Sequence, residues 1–141
     1  KIRAAQRSWL TPILCVGESA EQRDAGQANA VVLAQLAGAL DGIEINSEKE
    51  LVIAYEPVWS IGTGRTATPE DAQGMSSVIR AWLDDRFPGT GARLRILYGG
   101  SMKPDNAAEL LAKPDVNGGL IGGASLAIAD LMAIESATVN L

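Results

Sequence analysis

Short apolar runs alternate with longer amphipathic stretches along nearly the whole chain. Residues 1–9 place Ile2 and Ala5 on one face among basic positions and read as the tail of a helix. Pro12-Ile13-Leu14-Cys15-Val16 is a short apolar run closed by Gly17, the pattern of a buried strand. Ser19 stands in capping-box spacing to Gln22, so a helical turn begins there. From Ala28 to Leu40, Val31, Leu33, Leu36 and Leu40 supply a helical stripe, and Gly42 follows its end.

A second strand is predicted over Leu51–Tyr55. Thr68 caps the next helix, Pro69 suits its first position, and Asp71 completes the box. That helix carries Met75, Val78, Ile79, Trp82 and Leu83 at helical spacing and stops at Phe87-Pro88-Gly89. Leu94–Tyr98 is a third strand, followed by Gly99-Gly100-Ser101 and a shorter helix over about Pro104–Ala112. Gly118–Ile121 is a fourth strand, ending in Gly122-Gly123-Ala124-Ser125 before a last helix near Ala127–Ala137. Near-continuous apolar strands alternating with helices argue an α/β fold whose parallel sheet is covered by helices. Each strand ends in small or polar residues on one common edge, where α/β proteins bind ligands.

Composition narrows the classes. A chain of 141 residues has single-domain length, and we expect one domain over 1–141. With 47% hydrophobic and 21% charged residues it is a globular rather than a disordered composition. The net charge of −5, without any basic run, argues against nucleic-acid binding. No run approaches a membrane span, and no charged-then-apolar leader opens the chain. Cys15 is the single cysteine, which points to a reducing, cytoplasmic setting and, in packing terms, to a small core residue. Histidine is absent, so the commonest acid–base group and metal ligand is missing, and no metal site is expected.

The candidate chemistry gathers at the second strand's end. Glu56 follows Tyr55 directly, and Pro57 forces it into an extended backbone, so the strand aims its acid at a pocket. Alone, Glu56 could be an ordinary solvated acid. Followed by Pro-Val-Trp and the Gly62-Thr63-Gly64 loop, it reads as a general base beside an anion-gripping loop. Trp59 is either core packing or the rigid hinge of that loop. Gly99-Gly100-Ser101 and Gly122-Gly123-Ala124-Ser125 read as two backbone-donor turns on successive strands, with Gly62 a third donor. Glu18 reads equally well as a helix cap or as a group at the first strand's end. The lysines Lys1, Lys49, Lys103 and Lys113 read as solvated surface groups, none aimed at the site.

Read together, Pro-Ile-Leu-Cys-Val-Gly-Glu at 12–18, Ala-Tyr-Glu-Pro-Val-Trp at 54–59 and Ile-Gly-Thr-Gly at 61–64 closely resemble triose-phosphate isomerase. Leu-Tyr-Gly-Gly-Ser at 97–101 and Gly-Gly-Ala-Ser-Leu at 122–126 extend the resemblance essentially end to end. The likeness is to the C-terminal half of the family's barrel, so it implies half of a (β/α)8 TIM barrel with about four parallel β/α units. It implies interconversion of dihydroxyacetone phosphate and glyceraldehyde 3-phosphate, a step of glycolysis and gluconeogenesis, without a cofactor. A Glu base under a closing loop in this family is one of the standard worked cases of pKa tuning and loop gating. By matching motif, Glu56 would move the proton, and Gly62, Ser101, Gly122 and Gly123 would give backbone N–H groups to the phosphate. Tyr98 and Ser101 would latch the closed loop near Ala67 and Gly64, with Glu18 and Cys15 supporting from outside the substrate's reach.

The family also needs a Lys after its first strand and a His after its fourth, and both belong to the N-terminal half. These 141 residues alone are therefore expected to be inactive. The alternative is a non-catalytic half barrel that binds phosphate or sulfate, or that self-associates as a structural module. A half barrel leaves open edges at Pro12–Val16 and Gly118–Ile121, so a homodimer is expected. Trp9 stands where the family usually has Gly, Arg65 where it often has Lys, and Asn117 where it usually has an Asp paired with the Arg matching Arg80. The last change is expected to weaken that pairing.

Overall fold

The computed structural model describes residues 1–61 and 66–138. Among them, three parallel strands stand in the order β1 (Ile13–Val16), β2 (Val52–Tyr55) and β3 (Arg95–Tyr98). Around them lie α1 (Ile2–Arg7), α2 (Ala20–Asp24), α3 (Ala28–Ala39), α4 (Pro69–Arg86), α5 (Ala107–Leu111) and α6 (Ile128–Thr138). Helix α3 packs on β1, and α4 packs on both β2 and β3.

The register assigns the two faces of the sheet. Leu14, Ile53 and Ile96 form one cross-strand row, and Val16, Tyr55 and Tyr98 another two residues on. By the pleat these two rows share a face, and they join Leu36, Ile79 and Leu83 of the helices in one core cluster. Each fully buried Leu or Ile there contributes roughly 1.5–3 kcal/mol. The opposite face carries Ile13, Val52 and Arg95 in one row and Cys15, Ala54 and Leu97 in the next. On that face Ile13 is 48% exposed and Cys15 is exposed, so the expected core position of Cys15 is corrected. Val52 and Ala54 of the central strand are buried on this same face, so it is the edge strand β1 that stands open.

Local chemistry behaves as its residues dictate. Ser19 and Gln22 close a capping box on α2, and Thr68, Pro69 and Asp71 do the same for α4. In α3 the buried positions are Val32 and Leu36, with Leu40 at the cap, rather than Val31 and Leu33. Spacing of four residues keeps these three on one stripe, and Leu33 packs at its flank. Helix α5 begins at Ala107 rather than near Pro104, because Asn106 holds residues 101–103 in a separate turn.

The fourth expected strand is reduced to a single parallel bridge, Tyr98 to Gly119. Tyr98 N donates to Gly118 O and Leu120 N to Tyr98 O, each at 2.9 Å, so the segment does lie against β3. Two adjacent glycines, with no side chains to pack, keep it from forming a longer ladder.

Two departures from the family pattern acquire a physical account. Trp9 N donates to Gln6 O and Leu10 N to Ala5 O, each at 3.0 Å, which is a Schellman closure of α1. Trp9 holds its left-handed position at φ +58°, where glycine is the natural occupant, and is 97% exposed. Arg80 donates to Asn117 Oδ1 at 2.8 Å and also faces Asp115 Oδ1 at 3.5 Å. The charge expected to be lost at Asn117 is thus supplied by Asp115, while Asn117 Oδ1 also accepts from Ile96 N at 2.9 Å.

Candidate active site

Glu56 leaves β2 at the carboxyl edge of the sheet, half-buried, with its N–H donating to Val16 O at 2.8 Å. Glycines from both neighbouring strands crowd it. A Cβ on Gly17 would lie 1.7 Å from the Glu56 carbonyl oxygen. A Cβ on Gly99 would lie 2.6 Å from Glu56 Cγ and 3.3 Å from Oε1. Only bare backbone lets the three strand ends approach so closely, Gly17 against the Glu56 backbone carbonyl and Gly99 against its side chain. Gly17 is itself pinned: its N–H donates to Gln35 Oε1 at 2.9 Å and its carbonyl accepts from Gln35 Nε2 at 3.0 Å. The Cys15 thiol pKa is raised by partial desolvation first and then by the Glu56 charge and hydrogen bond. Cys15 and Glu56 are thus immediate neighbours on the open side of the sheet.

Beneath this edge Glu18 is fully buried. It does not cap α2, because Ser19 does. Its Oε1 accepts from Trp59 Nε1 at 2.8 Å, from the Tyr55 hydroxyl at 3.1 Å and from Arg23 at 3.2 Å. Burial, followed by the Glu18 charge, pushes the Tyr55 phenol well up. The Arg23 guanidinium lies 4.2 Å over the Trp59 ring and reaches Asp71 Oδ1 at 2.5 Å. Burial opposes ionisation of Asp71, but hydrogen bonds from Thr68 and the Arg23 charge hold its carboxyl below the ordinary range. Trp59 sits in a short turn over Val58–Ser60, and Thr68 caps α4. One charged chain therefore ties together the two sides of the 62–65 segment, and Trp59 is both packed and hydrogen-bonded.

A cavity of about 240 Å³ opens beside the strand ends, lined by Ile61, residues 99–103 and Gly122-Gly123-Ala124. Ser101, Gly122 and Gly123 are thus brought together. Asn106 shapes one wall: its Oδ1 accepts from Lys103 N at 2.8 Å and its Nδ2 donates to Ser101 O at 3.0 Å. Met102 is buried, and a Cβ on Gly119 would come within 2.6 Å of its sulfur. Ser101, Met102 and Lys103 all line the cavity. Tyr98 passes beneath Gly100, whose Cβ would lie 2.2 Å from the phenol oxygen. That hydroxyl is buried and makes no hydrogen bond among the described residues. Burial raises its pKa, and the nearby Ser60 hydroxyl offsets part of the rise.

Gly62 and Gly64 lie outside the described residues, whereas Ala67 is buried at the start of the following segment. Lys103, expected as a solvated surface group, is exposed and also borders that cavity. Gln35, Arg23 and Asn106 were missed because each acts across the fold or through a turn rather than in a motif. No group of three or more His, Cys, Asp or Glu able to hold a metal occurs among the described residues, and no described helix is long and apolar enough to cross a membrane.

Comparison with known proteins places this arrangement. The family model for triosephosphate isomerase matches residues 1–138. The triosephosphate isomerase of Stenotrophomonas maltophilia (strain R551-3) is 54% identical over 140 residues, covering 97% of this chain and 55% of that protein. The Roseiflexus castenholzii triosephosphate isomerase is 58% identical over 127 residues, covering 89% of this chain and 50% of that protein. The crystal structure of triosephosphate isomerase from Bartonella henselae superposes with a TM-score of 0.87 at 42% identity, over 97% of this chain and 54% of that one. The chain spans about half the length of the relatives it matches. Its strands and helices are those of a TIM-barrel fragment, and the chain belongs to the triosephosphate isomerase family.

Proposed function

We propose that this site serves the interconversion of dihydroxyacetone phosphate and glyceraldehyde 3-phosphate. In this reading the Glu56 carboxylate takes the proton from the carbon beside the carbonyl and returns it to the neighbouring carbon. Ser101, Gly122 and Gly123, with Gly62 from the adjoining loop, hold the phosphate through backbone N–H groups. Tyr98 and Ser101 latch that loop, and Glu18 and Cys15 support the base from outside the substrate's reach. The observation that carries the reading is Glu56, boxed by Gly17 and Gly99 at the sheet edge that also borders the Ser101–Gly122–Gly123 cavity.

These 141 residues by themselves are proposed to be inactive. The Lys and His that polarise the carbonyl belong to the family's N-terminal half, and the sequence contains no histidine. Loss of one such group commonly costs about 3 kcal/mol in the transition state, and Glu56 cannot act in their place. A coupled isomerase assay tests this. The chain alone should stay at background, and addition of a chain carrying the N-terminal half should restore turnover that Glu56→Ala abolishes. Turnover by the chain alone near that of a whole enzyme, or restored turnover indifferent to Glu56→Ala, would refute the reading.

A second reading concerns assembly. Leu126 is 90% exposed, Ile128 78% and Met132 60%, and Ile13 and Cys15 lie open on the sheet. We infer that the chain covers this surface as a homodimer, in a reducing, cytoplasmic setting suited to a single free thiol. Sedimentation equilibrium decides it, a soluble monomer across the concentration range being the contrary result.

A further inference from the structure

Resting on the phosphate-seat reading above, we propose that Lys103 is the side-chain cation of that seat. Within these 141 residues, of net charge −5, the other donors of the seat are backbone N–H groups, and a nearby cation would offset a field unfavourable to a dianion. Lys103 lines the 240 Å³ cavity together with Ser101, Gly122 and Gly123, and is the charged residue among its lining groups. It also lines an adjoining cavity of about 520 Å³ whose wall includes Gly123, Asp105 and Asp130. Although those two acids are close at hand, its ammonium makes no ion pair or hydrogen bond among the described residues. Lys113, by contrast, is committed to Glu70 at 2.6 Å.

The placement of Lys103 is built rather than incidental. Buried Met102 anchors the segment, Asn106 clamps the backbone on both sides of it, and Ser101, Met102 and Lys103 border the same cavity. An exposed stem on a fixed backbone lets the ammonium reach into the seat when an anion arrives and return to water when it leaves. The ligand chemistry is a phosphate dianion, free or carried on a three-carbon chain. The cation would add a charge-assisted contact to the neutral N–H donors and draw the anion in at low salt.

Titration of the 141-residue chain with inorganic phosphate, and separately with glycerol 3-phosphate, tests the proposal by amide shifts at Ser101, Gly122 and Gly123. Lys103→Gln should weaken both ligands about three- to fivefold at low salt and flatten the salt dependence of binding. Lys103→Arg should retain most of the affinity. Lys49→Gln, which changes the net charge equally but stands before β2 at the other end of the sheet, should change neither. Equal weakening by Lys49→Gln and Lys103→Gln, or unchanged affinity in Lys103→Gln, would overturn the role of Lys103 while leaving the seat intact. Unmoved Ser101, Gly122 and Gly123 amides in the parent chain would overturn the seat itself, and the proposal with it.

Discussion

Replacing Gly17 by alanine should be the most damaging single-methyl change near the site. The new Cβ would stand 1.7 Å from the Glu56 carbonyl oxygen and 2.6 Å from its carbon, both backbone atoms that no rotamer change can move. Ordinary C···O contact needs about 3.3 Å, so the ends of β1 and β2 must separate by roughly 1.5 Å. That movement breaks the Glu56 N–H bond to Val16 O at 2.8 Å and the two Gln35 bonds to Gly17 at 2.9 and 3.0 Å. At about 1 kcal/mol net each, the loss is about 3 kcal/mol, offset by about 0.5 kcal/mol from the stiffer unfolded chain. Gly74 provides the control, because it is exposed within α4 and a Cβ there meets nothing within 4 Å. Gly74→Ala should stabilise by about 0.5–1 kcal/mol. Urea unfolding followed by tryptophan fluorescence should place the Gly17→Ala midpoint about 1–2 M below the parent and the Gly74→Ala midpoint above it. A Gly17→Ala midpoint within error of the parent would show that the strand ends are not held in close contact, and the confinement of Glu56 would fall with it.

Trp9→Gly should raise stability by about 1 kcal/mol in the same assay, since a left-handed non-glycine residue is relieved and almost no buried area is lost. Asp71→Asn should cost about 1 kcal/mol near neutral pH through the Thr68 and Arg23 contacts. Because the native Asp71 pKa is depressed, its contribution is full above the unfolded value of about 3.9. It is lost as pH falls through the native value, so parent and variant stabilities should converge in acid. Glu56→Gln removes the charge and hydrogen bond that help raise the Cys15 pKa, so alkylation of this single thiol should be faster near neutral pH. An unchanged pH–rate profile would place Glu56 away from Cys15.

The elements of this chain were legible because they depend on neighbours in sequence. Thr68, Pro69 and Asp71 cap α4 by contacts within one turn, and the apolar spacing through Leu83 can face only one way once a core exists. Glu56 was legible for the same reason: a carboxylate after an apolar run and before proline has little choice of backbone. The closeness of Gly17 to the Glu56 backbone and of Gly99 to its side chain was not, since it joins three strand ends drawn from distant segments. Glu18 looked like a cap or a site group until the fold buried it beneath Trp59, Tyr55 and Arg23, where its charge is answered by donors up to 41 residues away. Asp115 took over the charge missing at Asn117, and Lys103 came to border the cavity because Asn106 clamped the turn that carries it. Cys15 shows the limit most plainly. Apolar flanks mark it as strand, but which face of a strand meets water is set by what packs on the sheet, and only the assembled fold decides that.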